Sequence, residues 1–359
     1  MSSARGPSQP RGPSQPRGPS QPRGPSEQSA VRVAAIDCGT NSLRLLIADV
    51  DRRVGELIDV DRRMEIVRLG QGVDATGRLA PDALARTFRV LEWYAAAIRS
   101  ASAASVRMVA TSATRDAANT DEFVGGVTRI LGVGPEVLSG DEEARLSFIG
   151  ATAEFAAVTE RLLPYRPPPP YLVVDIGGGS TEIVIGTAAH RAGADGAGPA
   201  QPTAQLSVDI GCVRLTERHL HTDPPRPAEI AAAAADIDAA LDTVAAKVPV
   251  ATARTLIGLA GSVTTVAGIA LGLAAYDPGR IHHARIPAAR VHEVTRELLS
   301  QTRRQRAGIG VMHPGRVDVI GAGALVLDRV LARFGFGEVM ASEHDILDGI
   351  AWSLVPGRS

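Results

Sequence analysis

Cysteine and lysine are almost missing from this chain of 359 residues. Two cysteines, Cys38 and Cys212, are too few for a disulfide framework, and neither has the spacing of a metal site. No histidine stands near Cys38 in sequence, so it reads as a small packing residue rather than a nucleophile. Lys247 is the single lysine, and every other basic residue is arginine. Arginine suits bidentate phosphate contacts, although biased nucleotide composition produces the same pattern. The histidines His282, His283, His313 and His344 are scattered without ligand spacing, which assigns them structural or surface positions. No membrane span is needed, and the N-terminus lacks the apolar stretch of a secretory signal, which points to a cytoplasmic protein. Excess charge is missing too: the net charge is −1. The four arginines and one glutamate of the first thirty residues contribute +3, which leaves −4 for residues 31–359. A mildly acidic folded part exerts no general pull on a polyanion, so nucleic acid is not an expected partner. A phosphate-rich substrate would have to be held by locally clustered arginine and by metal.

The length suggests two domains, and a 45% apolar content is enough to fill two cores. The first thirty residues repeat Arg-Gly-Pro-Ser-Gln-Pro from Arg5, Arg11 and Arg17. They carry no side chains with which to build a core and are expected to be disordered. The most informative stretch is Val173-Val174-Asp175-Ile176-Gly177-Gly178-Gly179-Ser180-Thr181-Glu182-Ile183, which reads as strand, tight turn, strand. Three glycines let backbone N–H groups approach an anion with no Cβ in the way, and Ser180 and Thr181 add hydroxyl donors. Asp175 would sit beside that anion and repel it unless a divalent cation lay between them. A hairpin turn with a solvated aspartate is the plainer alternative.

That stretch has an echo. Ala35-Ile36-Asp37-Cys38-Gly39-Thr40-Asn41-Ser42-Leu43-Arg44-Leu45 repeats its pattern, with Asp37 over Asp175, Gly39 over Gly177 and Ser42 over Ser180. A long-period repeat of this kind suggests a duplicated α/β domain with two phosphate loops facing across a cleft. Arg44 and Glu182 break the symmetry, so they are where the halves would specialise.

Between and beyond these loops, the first half reads as strands at 31–37, 43–50, 54–60 and 63–69, then a helix at 81–100 with a stripe of Leu84, Phe88, Leu91 and Ile98. A strand at 106–110 delivers Thr111-Ser112-Ala113-Thr114-Arg115-Asp116, which could hold an anion at a helix start or simply cap that helix. Ser139-Gly140-Asp141-Glu142-Glu143-Ala144-Arg145-Leu146 opens a helix between the two repeats. Its acids complement the helix dipole, and at most one of Glu142 and Glu143 can face a cleft. Pro164 to Pro170 reads as a stiff connector. Strands follow at 171–176, 181–186 and 203–210, with a mobile Gly-Ala-rich loop at 188–202. A helix is expected at 227–248, with Ile230, Ile237, Leu241, Val244 and Val248 on one stripe. Leu256-Ile257-Gly258-Leu259-Ala260-Gly261-Ser262-Val263-Thr264-Thr265 gives a strand and a turn whose Gly261 and Ser262 fit a third phosphate contact. Helices at 289–305 and 315–334, a strand at 339–341 and a helix from Glu343 through Trp352 complete the reading.

Taken together, the segments at Asp37–Ser42, Thr111–Asp116, Ser139–Leu146, Asp175–Glu182 and Gly261–Thr265 resemble the exopolyphosphatase/guanosine pentaphosphate phosphatase family. The resemblance runs from about Val31 to the C-terminus. Gly211-Cys212-Val213-Arg214-Leu215-Thr216-Glu217 and Ser342-Glu343-His344-Asp345-Ile346-Leu347 look most like its short, two-domain actinobacterial members. The family implies a duplicated ribonuclease H-like, actin-like ATPase fold with an interdomain cleft: a tail at 1–30, an N-terminal domain at 31–146 and a C-terminal domain at 147–359. It implies Glu143 as the water-activating residue and Asp175, Glu182 and Asp37 on the metal side, with Mg²⁺ as the expected cation. Asn41, Ser42, Arg115, Gly177, Gly178, Gly179, Ser180 and Thr181 would hold phosphate. Hydrolysis of terminal phosphate from inorganic polyphosphate is the leading expectation, and removal of the 5′ γ-phosphate of guanosine pentaphosphate is the alternative. A kinase of the same superfold would need an adenosine site and an acceptor hydroxyl, while a polyphosphate sensor would bind without releasing phosphate. Dimerisation is carried over from the family alone.

Overall fold

The computed structural model describes residues 30–51, 55–156, 167–188 and 201–355. The tail at 1–29, the first part of the proline run and nearly all of the Gly-Ala-rich loop lie outside the described residues, and with them the expectations of disorder and mobility.

The first half contains β1 (Val31–Cys38), β2 (Ser42–Asp51), β3 (Glu56–Ile66), α1 (Val73–Thr76), α2 (Pro81–Ala101), β4 (Ser105–Ala110), α3 (Ser112–Arg115), α4 (Thr120–Leu131), β5 (Glu136–Val137) and α5 (Gly140–Ala156). Its five strands lie in the order β3-β2-β1-β4-β5. The pairs β1–β2 and β2–β3 are antiparallel, and β1–β4 and β4–β5 are parallel. The second half contains β6 (Tyr171–Ile176), β7 (Thr181–Thr187), β8 (Gln201–Val208), α6 (Cys212–His219), α7 (Pro227–Lys247), β9 (Thr255–Leu259), α8 (Ala260–Ala270), α9 (Pro278–Ile281) and β10 (Arg285–Pro287). It continues through α10 (Ala288–Ser300), α11 (Arg303–Ala307), α12 (Ile320–Phe334), β11 (Glu338–Ala341) and α13 (Ile346–Ser353). Its sheet runs β10-β11-β9-β6-β7-β8. A three-stranded antiparallel meander extended by parallel strands on the side of its first strand therefore occurs twice, which is the duplication expected from the repeat and the ribonuclease H-like fold implied by the family resemblance.

The central strands are apolar along their whole length because both faces are covered. In β1, Ala34, Ile36 and Cys38 pack in a core with Leu91, Tyr94 and Ile98 of α2, while Val33 and Ala35 pack with Ile346, Leu347 and Ile350 of α13. In β6, Leu172, Val174 and Ile176 share the large core of the second half with α7 and α12, while Tyr171 and Val173 pack on Phe148 and Phe155 of α5. Helix α5 serves both halves, since Leu146 joins the α13 core. The α5 and α13 backbones meet: a Cβ at Gly150 would stand 1.7 Å from the Asp345 carbonyl oxygen, and one at Gly349 would stand 2.1 Å from that of Leu146. Glycine is the residue that permits this approach.

Several boundaries differ from expectation for local reasons. The two strands expected at 54–60 and 63–69 are one strand, β3, whose register against β2 shifts between Ile47 and Ala48 and so skips Val60, a bulge rather than a turn. The helix expected at 289–305 breaks at Thr302, whose side chain caps α11 through the Gln305 N–H. The last helix starts at Ile346 rather than Glu343, because Asp345 accepts the Leu347 N–H as its N-cap. The helix expected after Thr111–Asp116 is present as the short α3 followed by α4, whereas α6 was not expected. No helix among the described residues is long and apolar enough to cross a membrane.

Candidate functional site

The two loops of the repeat are built alike. The Gly39 N–H donates to the Ser42 carbonyl at 3.0 Å, and the Gly177 N–H donates to the Ser180 carbonyl at 3.1 Å. Each turn closes an antiparallel pair in which the aspartate faces its symmetry-breaking partner across the ladder: Asp37 opposite Arg44, and Asp175 opposite Glu182. The carbonyls of Gly177, Gly178 and Gly179 accept the N–H groups of Cys212, Val213 and Gly211 at 2.9, 2.8 and 3.1 Å. In a trans peptide the carbonyl and the following N–H point opposite ways. The N–H groups of Gly178, Gly179 and Ser180 are thus turned away from α6.

The glycine run has a second role that sequence alone did not suggest. None of the three glycines has a positive φ. A Cβ at Gly178 would come 2.8 Å from the Thr40 side chain, and one at Gly179 would come 2.2 Å from Ser112 Oγ. These neighbours belong to the first half, where Thr40 Oγ1 and Ser112 Oγ are 2.9 Å apart. Small residues here let the two loop systems touch.

A cleft opens beside this contact, at the carboxyl ends of the central strands. Asp37, Asn41, Ser42, Glu143, Asp175, Gly177, Gly178, Ser180, Gly261 and Ser262 all line it, so residues far apart in sequence come together. Gly179 faces Ser112 instead. Thr181 is fully buried, and its hydroxyl donates to the Ile210 carbonyl at 2.9 Å rather than into the cleft. Glu182 is buried behind Asp175 and accepts the Ser207 hydroxyl at 2.7 Å. Arg115 ends the short α3 and donates from Nη1 to the Leu138 carbonyl at 2.8 Å and to Glu143 Oε2 at 3.0 Å. Of the neighbouring glutamates it is Glu143 that is buried, whereas Glu142 pairs with Arg145 at 2.9 Å.

Four carboxylates, Asp37, Glu143, Asp175 and Glu182, are therefore buried close together. Burial raises all four pKa values, because the charged form loses its hydration. Asp175 is lifted to about 6, first by burial and then by the charge of Asp345. Glu143 is lifted by burial against the opposing pull of Arg115, and Glu182 by burial and by the charges of Glu143 and Asp175. Asp37 Oδ2 accepts Arg44 Nη2 at 2.6 Å, and the same guanidinium reaches Asp345. Asp37 Oδ1 is buried with no hydrogen-bond partner. Two arginines, one of them shared with Asp345, face four acids. No three of these acids bring their oxygens within 4.8 Å of one another, but the unpartnered Asp37 oxygen is a donor of the kind a divalent cation takes.

Two groups escaped the sequence reading. Arg316 precedes α12 and lies against Gly261, where a Cβ would stand 2.3 Å from its Cζ. It lines the cleft, and among the described residues no carboxylate lies within ion-pair distance of it. Arg44, Gly261 and Arg316 also border a second, adjoining cavity that adds Arg62, Arg63, Tyr276 and Met312. Three of the four histidines expected to be scattered are not. His282, His283 and His344 gather around Glu154, away from the cleft, and the ligand atoms of Glu154, His282 and His283 all lie within 4.8 Å of one another. Only His282 and His283 are close in sequence, so spacing carried no sign of the group. Cys38 is buried in the core, as expected of a packing residue, while Cys212 is buried at the cleft wall.

Residues 46–357 match the model of the Ppx/GppA phosphatase family. The chain is 48% identical over 334 residues to a protein of Mycobacterium tuberculosis called exopolyphosphatase 2, covering 90% of this chain and 98% of that one. Among solved structures, an exopolyphosphatase-like protein is similar with a TM-score of 0.81 and 44% identity, over 91% of this chain and 98% of the other. The Ppx/GppA enzyme of Aquifex aeolicus is similar with a TM-score of 0.72 and 29% identity, over 90% of this chain and 99% of the other.

Proposed function

The chain belongs to the Ppx/GppA phosphatase family, and on that premise we propose that it is an exopolyphosphatase, hydrolysing the terminal phosphoanhydride of inorganic polyphosphate to release orthophosphate. The observation that carries this reading is the location of Glu143: buried, gripped on one oxygen by Arg115, and lining a cleft between two glycine-serine turns. Phosphoryl transfer to water requires positioning and neutralisation of charge rather than covalent chemistry by the protein.

In this mechanism Glu143 is the general base. Arg115 occupies Oε2 and leaves Oε1 to accept a proton from water in line with the scissile bond. Its raised pKa suits it to take that proton near neutral pH and pass it on. The N–H groups of Gly178 and Ser180, with Asn41 and Ser42 from the facing loop, receive the phosphoryl oxygens. Arg115, Gly261 and Ser262 add to this cradle, and Arg316 supplies a cation that is in no ion pair among the described residues. Asp175, Glu182 and Asp37 would hold a divalent cation, expected to be Mg²⁺. When bound, that ion would neutralise phosphate charge that these carboxylates otherwise repel. The adjoining cavity bordered by Arg62 and Arg63 would take the next phosphates of the chain.

The test is phosphate release by the full-length protein with Mg²⁺, offered short polyphosphate, long polyphosphate and guanosine pentaphosphate separately. Release from polyphosphate at the higher kcat/KM is the expected result. Preference for guanosine pentaphosphate would transfer the assignment to that substrate, and release only with an acceptor sugar present would mean a kinase.

A further inference from the structure

We infer that Glu154, His282 and His283 form a second metal site, separate from the cleft and selective for a first-row transition ion of the zinc class. Glu154 lies in the last turn of α5, the two histidines follow α9, and His344 lies between β11 and α13. His283 Nε2 is 2.7 Å from Glu154 Oε1, and His282 Nε2 is 3.3 Å from Oε2. His344 Nδ1 approaches Oε1 from a third side at 3.6 Å. Tetrahedral zinc with ligands at about 2.0–2.1 Å sets neighbouring ligand atoms about 3.3–3.4 Å apart. The His282–Glu154 pair already has that separation, and the His283–Glu154 pair would need to open by about half an ångström.

Two further observations favour a ligand rather than a mere hydrogen-bonded staple. His283 is held at φ 62°, a left-handed conformation that non-glycine residues rarely adopt. The His282 and His283 rings stack with centroids 3.8 Å apart, and the His282 and His344 centroids are 4.6 Å apart. This brings three imidazoles onto one carboxylate, a donor set that suits zinc, nickel or copper and not magnesium. All four side chains keep an exposed fraction between 21% and 38%, which leaves an entry path.

Binding has a local consequence. His282 Nδ1 accepts the Glu343 N–H at 3.2 Å, which puts the ring proton on Nε2. Ligation through Nε2 requires the other tautomer and so releases the Glu343 amide. Glu343 is two residues before Asp345, the partner of Arg44. The site also lies eleven residues along α5 from Glu143, about 16 Å at the helical rise, so an ion there would tie the far end of the helix that carries the proposed base to the segment before α13. The inference does not depend on the proposed reaction.

The experiment titrates metal-free full-length protein with Zn²⁺ in saturating Mg²⁺, following bound ion and thermal midpoint, and repeats it with Co²⁺ as a spectroscopic probe. One Zn²⁺ per chain is expected, with a raised midpoint and Co²⁺ visible bands of imidazole ligation. His283→Gln keeps a hydrogen-bonding group beside Glu154 and should weaken Zn²⁺ at least about tenfold, as should His282→Gln. His292→Gln, at a distant histidine, should not. Circular dichroism of the zinc-free variants checks that they fold. Zinc binding unchanged in both cluster variants, binding lost instead in Asp175→Asn, or no Zn²⁺-dependent stabilisation of the parent chain would each overturn the inference.

Discussion

Arg115 Nη1 donates to Glu143 Oε2 at 3.0 Å, joining the end of α3 to the first turn of α5 beside the cleft that Glu143 lines. The pair fixes a buried carboxylate with one oxygen free, the arrangement a water-activating base needs. Glu143→Gln should lower kcat by about 10²- to 10⁴-fold while leaving KM within a few-fold. Steady-state phosphate release measures both, and a variant with full kcat would remove Glu143 from the mechanism.

The buried acids make a prediction about pH. Burial lifts Asp175 from its ordinary value of 3.8 to about 6. A carboxyl that holds its proton more tightly when folded stabilises the fold fully below its unfolded pKa, and that contribution is lost as pH rises through the folded value. In chelator, the thermal midpoint should therefore fall as pH rises from about 4 to above 6. A divalent cation, which takes ionised carboxylates, should restore more stability above that window than below it. Equal effects of the cation at both ends would mean that these carboxylates do not hold it.

Arg316 is a cation of the cleft with no carboxylate within ion-pair distance among the described residues. If it grips phosphate, Arg316→Gln should raise KM by roughly tenfold to a hundredfold, the worth of one or two charged hydrogen bonds. The dependence of KM on salt should become shallower. Wild-type KM and salt slope in this variant would leave Arg316 a wall residue.

The α5–α13 crossing predicts a stability effect that comes from backbone contact rather than from charge. Gly349→Ala puts a methyl group 2.1 Å from the Leu146 carbonyl oxygen, so the helices must separate. The cost should be about 1–3 kcal/mol or more, read as a lower denaturant midpoint, and activity should fall with it because α5 carries Glu143. Gly125→Ala, where a Cβ meets nothing within 4 Å, is the control.

The sequence disclosed what repeats and what is local. The echo of Asp37 in Asp175 revealed the duplication, since two turns with the same Gly-to-Ser hydrogen bond need the same residues. The central strands were legible because burial on both faces demands unbroken apolar runs. A helix after Asp116 was legible from its polar start, but its extent was not, since α4 contains Gly125 and Gly126, which are poor helix formers. Gly126 is required there because a Cβ would lie 2.2 Å from Phe88, and burial of Phe123 and Val127 holds the helix regardless. Arg316, the contact of Thr40 and Ser112 with the glycine run, and the histidines around Glu154 are tertiary meetings of distant segments. No local pattern encodes them.

The position of α13 also bears on the order in which the chain can mature. Val33, Ala35, Leu46, Ala48 and Val109 of the first sheet are covered by Ile346, Leu347, Ile350 and Ala351, so a face made earlier in synthesis waits for a helix far along the chain before it is sealed. Such long-range closure slows folding. Until it happens, that apolar face is open to wrong partners, which makes the docking of α13 a step at which a nascent molecule is exposed to aggregation.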